Sequence, residues 1–459
     1  MVTKRLLAMA AVLLLSAGAA LAGTSGTSGT SGTSGLTCNE AVGKKIFFDQ
    51  RLSLNKNQAC AACHAPEVGW TGPDKEINKH GAVYEGSVQG QFGNRKPPSS
   101  AYATTSPFFR LINASDGMFA GGNFWDGRAT GEKLGNPAAD QAQGPFLNPK
   151  EQALPDAACV VYRVCNSEDY GMLFKQVWPG ACEIAWPNTI NFENACSDPY
   201  QGPFTLDDMT RAQVNVAYND IAYSIAAYED SKESNAFSSK YDAYLKGKAA
   251  LSAKEKLGLN LFNGKGKCAN CHISTMEQKC AGDNDCGSSR CSDAVAYDGC
   301  KSNPLFTDYT FDNLGIPKNP ENPFYGQPEG GPNWIDPGLG GFLTTRMDFA
   351  MYADQNYGKH KVPTLRNVDK RPYPMFVKAF GHNGYFKSLK EIVHFYNTRD
   401  KYPTCNSGDP REKMTCWPAP EVSANVNSTE LGNLGLSDME EDAIVAFMKT
   451  LSDGYMMND

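Results

Sequence analysis

The sequence predicts a mainly α-helical fold that is divided into two similar domains with long loops. Two pentapeptides of the form Cys-x-x-Cys-His, at residues 60–64 and 268–272, lie far apart in the chain of 459 residues. Each follows a stretch whose apolar residues recur at helical spacing, which indicates one repeat in each half. The segments between the predicted helices are rich in Gly, Pro and Asn and contain few alternating β patterns. Two helical domains with long connections are therefore expected.

The two pentapeptides predict the attachment of two c-type haems. In each motif the thiols can form thioethers with the vinyl groups of a haem, and the histidine then becomes the proximal iron ligand. One such motif also fits a zinc site or a redox-active cysteine pair, but two of them in an exported chain favour haem. The predicted attachment residues are Cys60, Cys63, Cys268 and Cys271, and the predicted proximal ligands are His64 and His272.

The N-terminal region predicts an exported protein. Residues 1–22 combine a basic start, an apolar run and a small-residue cleavage site, which are typical of a secretory signal peptide. Residues 23–35 contain four copies of Thr-Ser-Gly and predict a flexible tether. The apolar run is too short to span a membrane, and no later stretch is long enough. A periplasmic or otherwise exported location, without a membrane span, is expected.

The charge of the chain restricts its partners. The formal net charge is −7, and removal of Lys4 and Arg5 with the signal peptide makes it more negative by two. An acidic chain is not expected to bind nucleic acid, and it favours neutral or basic partners such as a small basic cytochrome.

Cysteine usage predicts disulfides outside the haem motifs. Four of the 15 cysteines lie in the motifs, and all but one of the others fall into local groups of even size. In an oxidising compartment such groups form disulfides that contribute about 2–4 kcal/mol each. Zinc is the alternative, which is disfavoured because no group contains histidine. The groups are Cys159, Cys165, Cys182 and Cys196; Cys280, Cys286, Cys291 and Cys300; and Cys405 with Cys416; Cys38 belongs to none of them.

We predict a domain boundary at residue 240. The N-terminal domain, 36–240, contains the first motif and a long helix at about 206–230, where apolar residues recur at helical spacing. The C-terminal domain, 241–459, contains the second motif. Residues 280–300 and 318–345 are predicted to be long surface loops.

Further motifs occur in order along the chain. They are Gly93-Asn94-Arg95-Lys96-Pro97-Pro98, Phe124-Trp125-Asp126-Gly127-Arg128-Ala129, Gln141-Ala142-Gln143-Gly144-Pro145, Asn148-Pro149-Lys150-Glu151, Pro363-Thr364-Leu365-Arg366-Asn367-Val368 and His382-Asn383-Gly384. With the haem motifs, this set resembles the bacterial dihaem cytochrome c peroxidases and their MauG-type relatives over about residues 43–451. The resemblance implies an N-terminal peroxidatic domain and a C-terminal electron-transfer domain, with the haems on either side of their interface.

The resemblance implies that peroxide reacts at the haem on His64. It places Gln141, Pro145 and Glu151 over the other face of that haem. Glu151 would move a proton between the peroxide oxygens, Gln141 would hydrogen-bond a group at the iron or a water, and Pro145 would keep a protein ligand away. From the residues alone, Glu151 beside Lys150 also fits an ordinary surface carboxylate.

Trp125 is predicted to lie between the two haems. An indole at that position can relay an electron, and its N–H can bind a haem carboxylate. The alternative is a core tryptophan that packs the two domains together, and both descriptions can hold for one residue.

The haem on His272 is expected to have a second protein ligand. The position that matches the ligand of the family is Tyr396, where the peroxidases have methionine and the MauG-type enzymes have tyrosine. Tyrosinate favours higher oxidation states of iron, whereas methionine favours Fe(II). The alternative is that Tyr396 is a buried aromatic residue and that Met375 or His394 is the ligand.

Two further features of the resemblance concern His80 and calcium. His80 follows His64 by 16 residues, and a histidine at this spacing covers the resting peroxidatic haem in gated peroxidases; a surface loop residue is the alternative. The family usually binds calcium between its domains, but Lys96 and Arg371 stand where two ligands are expected, which argues against calcium. His360 has no assigned role and is expected to be a satisfied structural histidine.

The resemblance implies a periplasmic dihaem c-type peroxidase that reduces hydrogen peroxide and passes electrons between its haems. Its electron donor would be a small cytochrome or cupredoxin. The first alternative is a MauG-type oxidase that modifies a side chain of a partner protein. The second alternative is a non-catalytic electron carrier with both haems six-coordinate. The family often forms homodimers, although no surface of this chain indicates one.

Overall fold

The structure, a computed structural model, describes residues 35–274 and 303–456. The described part is mainly α-helical with few strands, which confirms the predicted class. The predicted signal peptide and tether lie outside the described residues, as do the predicted loop at 280–300 and its cysteine group. Within the described ranges, no helix is both long enough and apolar enough for a membrane span.

The secondary structure consists of short helices, one long helix and two small strand pairs. The helices of the first half are α1 (Cys38–Phe47), α2 (Cys60–Cys63), α3 (Lys75–Lys79), α4 (Pro137–Leu147), α5 (Ala157–Cys165), α6 (Gly171–Val177), α7 (Phe192–Ala195) and α8 (Asp208–Asp230). Those of the second half are α9 (Lys240–Leu245), α10 (Ala253–Asn263), α11 (Gly338–Leu343), α12 (Leu389–Thr398) and α13 (Asp438–Lys449). The antiparallel strand pairs are β1 (Arg110–Asn113) with β2 (Met118–Ala120), and β3 (Phe311–Asp312) with β4 (His360–Lys361).

The same helix pair occurs in each half. Helix α1 packs across α8, and α10 packs across α13. A glycine lies at each crossing: an added Cβ would be 1.8 Å from the carbonyl oxygen of Ser224 at Gly43, and 1.9 Å from that of Ala443 at Gly258. Only glycine lets the helix backbones approach so closely. The crossings fix the helix that leads into each haem motif, and they explain the repeat in the sequence.

The helix starts agree with their capping sequences. Ser252 and Glu255 form the capping box of α10, and Ser437 with Glu440 forms that of α13. Asp207 accepts a hydrogen bond from a backbone N–H in the first turn of α8. A side-chain acceptor therefore begins each of these helices.

Buried apolar side chains form two large clusters. One contains residues between 36 and 228 together with Leu305, and the other contains residues between 241 and 451. A smaller cluster joins the β1–β2 hairpin to α11 through Phe109, Phe119 and Leu339. The boundary at residue 240 stays a prediction, which the distribution of the large clusters supports.

The described disulfides confirm that cysteines outside the haem motifs pair locally. Cys159 is bonded to Cys196 and Cys165 to Cys182, so two bridges start from α5. The third bridge joins Cys405 to Cys416.

The prediction of a surface loop at 318–345 is wrong, because buried residues occur in both halves of the segment, among them Asn322 in the first half. Asp336 and Leu339 are fully buried. Leu339 belongs to the small apolar cluster, and both oxygens of Asp336 accept hydrogen bonds from Arg95, each at 2.7 Å. The two partners of this ion pair are 241 residues apart in the sequence, so no local sequence pattern could predict their contact.

The helix crossings give a first prediction. Gly258→Ala should lower the free energy of unfolding by about 3 kcal/mol, because the added methyl group collides with backbone that cannot rotate away. Alanine is otherwise the better helix former by about 1 kcal/mol. Denaturant unfolding followed by circular dichroism measures the difference. Gly202→Ala is the control, because an added Cβ there meets nothing within 4 Å; equal stability of the two variants would refute the close-packing argument.

Candidate functional site

Two cavities open beside the Cys-x-x-Cys-His motifs. The first has a volume of about 430 Å³ and is lined by Cys60, Cys63 and His64. The second has a volume of about 210 Å³ and is lined by the corresponding residues of the second motif, Cys268, Cys271 and His272. The structure therefore brings the thiols and the imidazole of each motif to the wall of one cavity.

The two histidines are held in the same way. Nδ1 of His64 lies 3.3 Å from the carbonyl oxygen of Trp70, and Nδ1 of His272 lies 2.8 Å from that of Phe306. A hydrogen bond from Nδ1 leaves Nε2 as the ligand nitrogen and sets the orientation of the ring. Burial lowers the pKa of each histidine to about 4. Two thiols and a neutral imidazole on one wall fit a c-type haem in each cavity.

Three of the predicted catalytic residues meet in the first cavity. Gln141 and Pro145 are one turn apart on α4 and so lie on one helix face. Glu151 follows the end of α4, and all three residues line the cavity that contains His64. Asn136 caps α4 by accepting from the N–H groups of Ala138 and Ala139, which fixes the register of the helix.

The carboxyl of Glu151 has a perturbed acidity. Burial raises its pKa, while the charge of Arg128 and a hydrogen bond with Asn148 oppose the shift without cancelling it. A carboxyl with a raised pKa exchanges protons more readily near neutral pH than an exposed one. The environment of Glu151 is therefore that of a proton carrier rather than of a solvated surface group.

Arg128 is a site residue that the sequence analysis did not assign. Its guanidinium lies 3.9 Å from the ring centroid of Phe124 and donates to Asp126 at 2.7 Å. Arg128 also lines the first cavity. The signal was present in the Phe-Trp-Asp-Gly-Arg-Ala motif, whose turn needs positive φ at Phe124 and Gly127.

Trp125 lies on the wall that the cavities share. It lines both of them, and its indole N–H donates to the carbonyl oxygen of Lys96 at 2.8 Å. Its own carbonyl oxygen accepts from the backbone N–H of Lys361 at 2.8 Å. The indole is thus fixed between the two cavities by backbone contacts.

Tyr396 lines the second cavity together with His272. Burial, reinforced by the nearby Cys271 and Cys268, raises the pKa of its phenol well above 10. Of the two alternative ligands, Met375 is 78% exposed and His394 binds Glu441 at 2.9 Å.

Met375 and His394 are absent from the described residues that line the second cavity. Met448 is the one methionine among those lining residues. The structure therefore brings Tyr396, and neither of its predicted substitutes, to the same space as His272.

A stacked pair of histidines borders the second cavity. The rings of His360 and His382 are 3.6 Å apart and nearly parallel, and Nε2 of each faces a carboxylate oxygen, that of Asp336 at 3.3 Å and that of Glu421 at 3.6 Å. The contact with Asp336 agrees with the structural histidine that the sequence analysis expected at His360. Asp336 lies within 4.8 Å of both ring nitrogens. Parallel rings cannot both aim in-plane lone pairs at one ion, and Asp336 already binds Arg95, so these residues do not form a metal centre.

Glu229 is a second buried carboxyl of the first cavity that the sequence analysis missed. It lies on α8 and lines the cavity. Burial raises its pKa to about 8, and its Oε2 has no hydrogen-bond partner. Its position in the long amphipathic helix resembles that of any polar residue, so no local signal distinguished it.

His80 is not brought to either cavity. It ends α3 at the surface, its side chain is 55% exposed, and its Nδ1 lies 2.9 Å from Oε1 of Glu321. It is absent from the described residues that line the first cavity. This arrangement agrees with the surface alternative and leaves the face opposite His64 without this imidazole.

The residues that argue against calcium have other partners. The Lys96 ammonium donates to Thr71 Oγ1 at 3.1 Å and to the carbonyl oxygen of Pro97 at 2.9 Å. Arg371 binds Asp369 and the carbonyl oxygen of Phe376. Both cations are thus bound to groups of the chain itself, and the expectation on calcium stays a prediction.

The fold and the two cavities define a dihaem cytochrome. Residues 38–250 match the family of the di-haem cytochrome c peroxidases. The chain is 30% identical over 420 residues to the methylamine utilization protein MauG of Paracoccus denitrificans, covering 90% of this chain and 88% of MauG. The chain belongs to the dihaem cytochrome c peroxidase and MauG family. The family implies two c-type haems, and the chain is an oxidoreductase of the dihaem peroxidase type.

Another relative agrees with this assignment, and a solved structure agrees in fold. The cytochrome c551 peroxidase of Nitrosomonas europaea is 26% identical, with 77% of this chain and 70% of that protein covered. The crystal structure of the diheme peroxidase BthA of Burkholderia thailandensis has a TM-score of 0.62 at 24% identity, covering 90% of this chain and 86% of that one. The likeness to BthA shows the same fold.

The position of Tyr396 gives a second prediction. If Tyr396 is the ligand that the resemblance implies, Tyr396→Phe should change the visible absorption and electron paramagnetic resonance spectra of one ferric haem, because it removes the phenol oxygen and leaves the ring volume nearly unchanged. Met448→Leu should leave both spectra as they are. The opposite pattern would make Met448 the ligand and would remove the reason for placing tyrosinate at this iron.

Proposed function

We propose that the protein reacts with hydrogen peroxide in the first cavity, at a haem attached covalently to Cys60 and Cys63 and ligated by His64. The observation that carries this proposal is that Glu151, a partly buried carboxyl with a raised pKa, lines the same cavity as His64. A simple electron carrier has no use for a proton-transfer group beside an open ligand position. Enzymatic peroxide chemistry is therefore favoured over electron transport alone.

When bound, the haem supplies the redox-active iron at which peroxide is cleaved. Glu151 accepts the proton of one peroxide oxygen and returns it to the other, so that the departing oxygen leaves as water. The amide of Gln141 would donate a hydrogen bond to an oxygen of the bound peroxide. Pro145 has neither a backbone N–H nor a side-chain donor, and it excludes any ligand from its position on α4. The positive charge of Arg128 stabilises the carboxylate of Glu151 and so limits the rise of its pKa.

The two electrons for the reduction come from outside the first cavity. One peroxide becomes two waters when it takes up two protons and two electrons. Trp125, on the wall shared by the cavities, is suited to relay electrons from a second haem that is held by Cys268, Cys271 and His272, with Tyr396 as the further ligand. The donor in this scheme is a small cytochrome or cupredoxin.

A second candidate function is the oxidation of a partner protein, as in the MauG-type enzymes. Two observations favour it. Tyr396 lines the second cavity with His272, and tyrosinate stabilises high oxidation states of iron at the expense of Fe(II). MauG is also more similar in sequence to this chain than the cytochrome c551 peroxidase is. In this scheme the electrons come from a side chain of the partner rather than from a carrier.

We further propose that the protein acts outside the cytoplasm. The predicted signal peptide and the disulfides support this location, because disulfides persist in oxidising compartments. The division into a peroxidatic domain, 36–240, and an electron-transfer domain, 241–459, follows from the placement of one motif in each.

The resting state gives a third prediction. The diferric protein mixed with one equivalent of hydrogen peroxide in a stopped-flow spectrometer should change its absorption at once, because His80 lies away from the first cavity. His80→Gln should react at the same rate.

The wild type could instead react only after one-electron reduction, while His80→Gln reacts without it. That result would mean that His80 blocks the haem at rest. No reaction in either redox state would refute the enzymatic proposal and leave the electron carrier.

The carboxyl of Glu151 gives a fourth prediction. Glu151→Gln should slow the reaction with peroxide by about 10²-fold or more, which is the typical contribution of a proton-transfer residue. The raised pKa means that the carboxylate is lost as the pH falls through a value above the ordinary 4.5. The wild-type rate should therefore fall on the acid side, and the variant should lack this dependence. Glu168→Gln is the matched control at an exposed position; equal rates for both variants would show that Glu151 does not carry the proton.

A further inference from the structure

Lys96 is a partly buried cation on the wall that the two cavities share. It lines both of them. Its ammonium has three N–H groups, and the structure gives it two acceptors, Thr71 Oγ1 at 3.1 Å and the carbonyl oxygen of Pro97 at 2.9 Å. Both acceptors are neutral. One N–H of Lys96 therefore lacks an acceptor among residues 35–274 and 303–456.

Lys361 is a second cation on the same wall. It lines both cavities too, and its ammonium donates to Ser106 Oγ at 2.7 Å, to the carbonyl oxygen of Gly122 and to Asn123 Oδ1 at 3.3 Å. These three neutral acceptors use all three N–H groups. Lys361 contributes its charge to the wall, but it has no remaining hydrogen bond to offer.

Neither lysine forms an ion pair with any carboxylate of the described ranges, in contrast to the buried arginines of the same protein. Arg95 binds Asp336 and Arg366 binds Asp242, with two hydrogen bonds in each pair. A buried charge without a counter-charge is unfavourable. Burial accordingly lowers the pKa of Lys96 to about 8 and that of Lys361 to about 7. A negatively charged group that enters the cavities would therefore supply the missing counter-charge for these two lysines.

We propose that Lys96 binds a carboxylate of the haem cofactors at the wall between the two cavities, with Lys361 as a second, purely electrostatic positive charge. Haem carries two propionate carboxylates, which match an ammonium with one open N–H and a neighbouring cation. The inference rests on the proposed function, because it needs haem in the cavities. It assigns a binding role to Lys96 in addition to the attachment residues of the motifs.

The backbones of Lys96 and Lys361 both form hydrogen bonds with Trp125, the residue proposed to relay electrons. The indole N–H of Trp125 donates to the carbonyl oxygen of Lys96, and the backbone N–H of Lys361 donates to the carbonyl oxygen of Trp125. A carboxylate bound by Lys96 is thus fixed relative to the indole. The two positive charges favour the reduced state of a nearby haem, which opposes the effect of a tyrosinate ligand.

The test measures the reduction potentials of both haems in the holoprotein by spectroelectrochemical titration. Lys96→Met and Lys361→Met should each shift at least one haem to a lower potential than in the wild type, because a positive charge beside the carboxylates is lost. Lys96→Arg should restore the potential, since the guanidinium keeps both the charge and the donors. Lys387→Met is the matched control, because Lys387 is a partly buried lysine that donates to backbone carbonyls and is not among the described residues that line the cavities.

Haem stoichiometry separates the failure of this proposal from that of the proposed function. Two haems per wild-type chain by the pyridine haemochrome assay are required by the proposed function, and a lower count would overturn both. With two haems present, potentials of Lys96→Met equal to those of Lys387→Met would overturn the role of Lys96 alone. If Lys96→Met does not fold, Lys96→Gln and Lys96→Arg decide the question, because only the arginine variant should keep the wild-type potentials.

Discussion

The close approach of two helix backbones in each half is the constraint on which the rest of the structure depends. At Gly43 and Gly258 the helix that precedes a haem motif touches the backbone of its partner helix. No side chain separates the helices, so the following loop starts from a fixed point. Each motif then turns its thiols and histidine towards a cavity, and the backbone carbonyls of Trp70 and Phe306 orient the two imidazoles.

The sequence predicts those features of the site that depend on residues close to one another in the chain. The spacing of each Cys-x-x-Cys-His motif, the one-turn separation of Gln141 and Pro145, and the capping boxes are set within a few residues. The assignment of Trp125, Glu151 and Tyr396 to the two haem sites came from the resemblance to a family, because sequence spacing alone does not predict it. These predictions did not need the path of the chain between the two halves.

The remainder of the site depends on contacts between distant parts of the chain. The ion pair of Arg95 with Asp336 and the stacking of His360 on His382 join segments that have no common pattern. The composition of residues 318–345 is typical of a surface loop. Asp336 is nevertheless buried, because Arg95 supplies its counter-charge. Lys361 and Glu229 could not be recognised, because their burial follows from tertiary packing.

The positions of the cysteines have a consequence for the thiol chemistry of the protein. The chain contains three described disulfides, whereas the four thiols of the Cys-x-x-Cys-His motifs are free. Burial raises the pKa of all four thiols, to about 12 for Cys63 and Cys268. Thiols attack disulfides as thiolates, so the folded cavities protect these cysteines from exchange with those around α5. In the folded chain, the motif thiols and the disulfides are thus kept chemically apart.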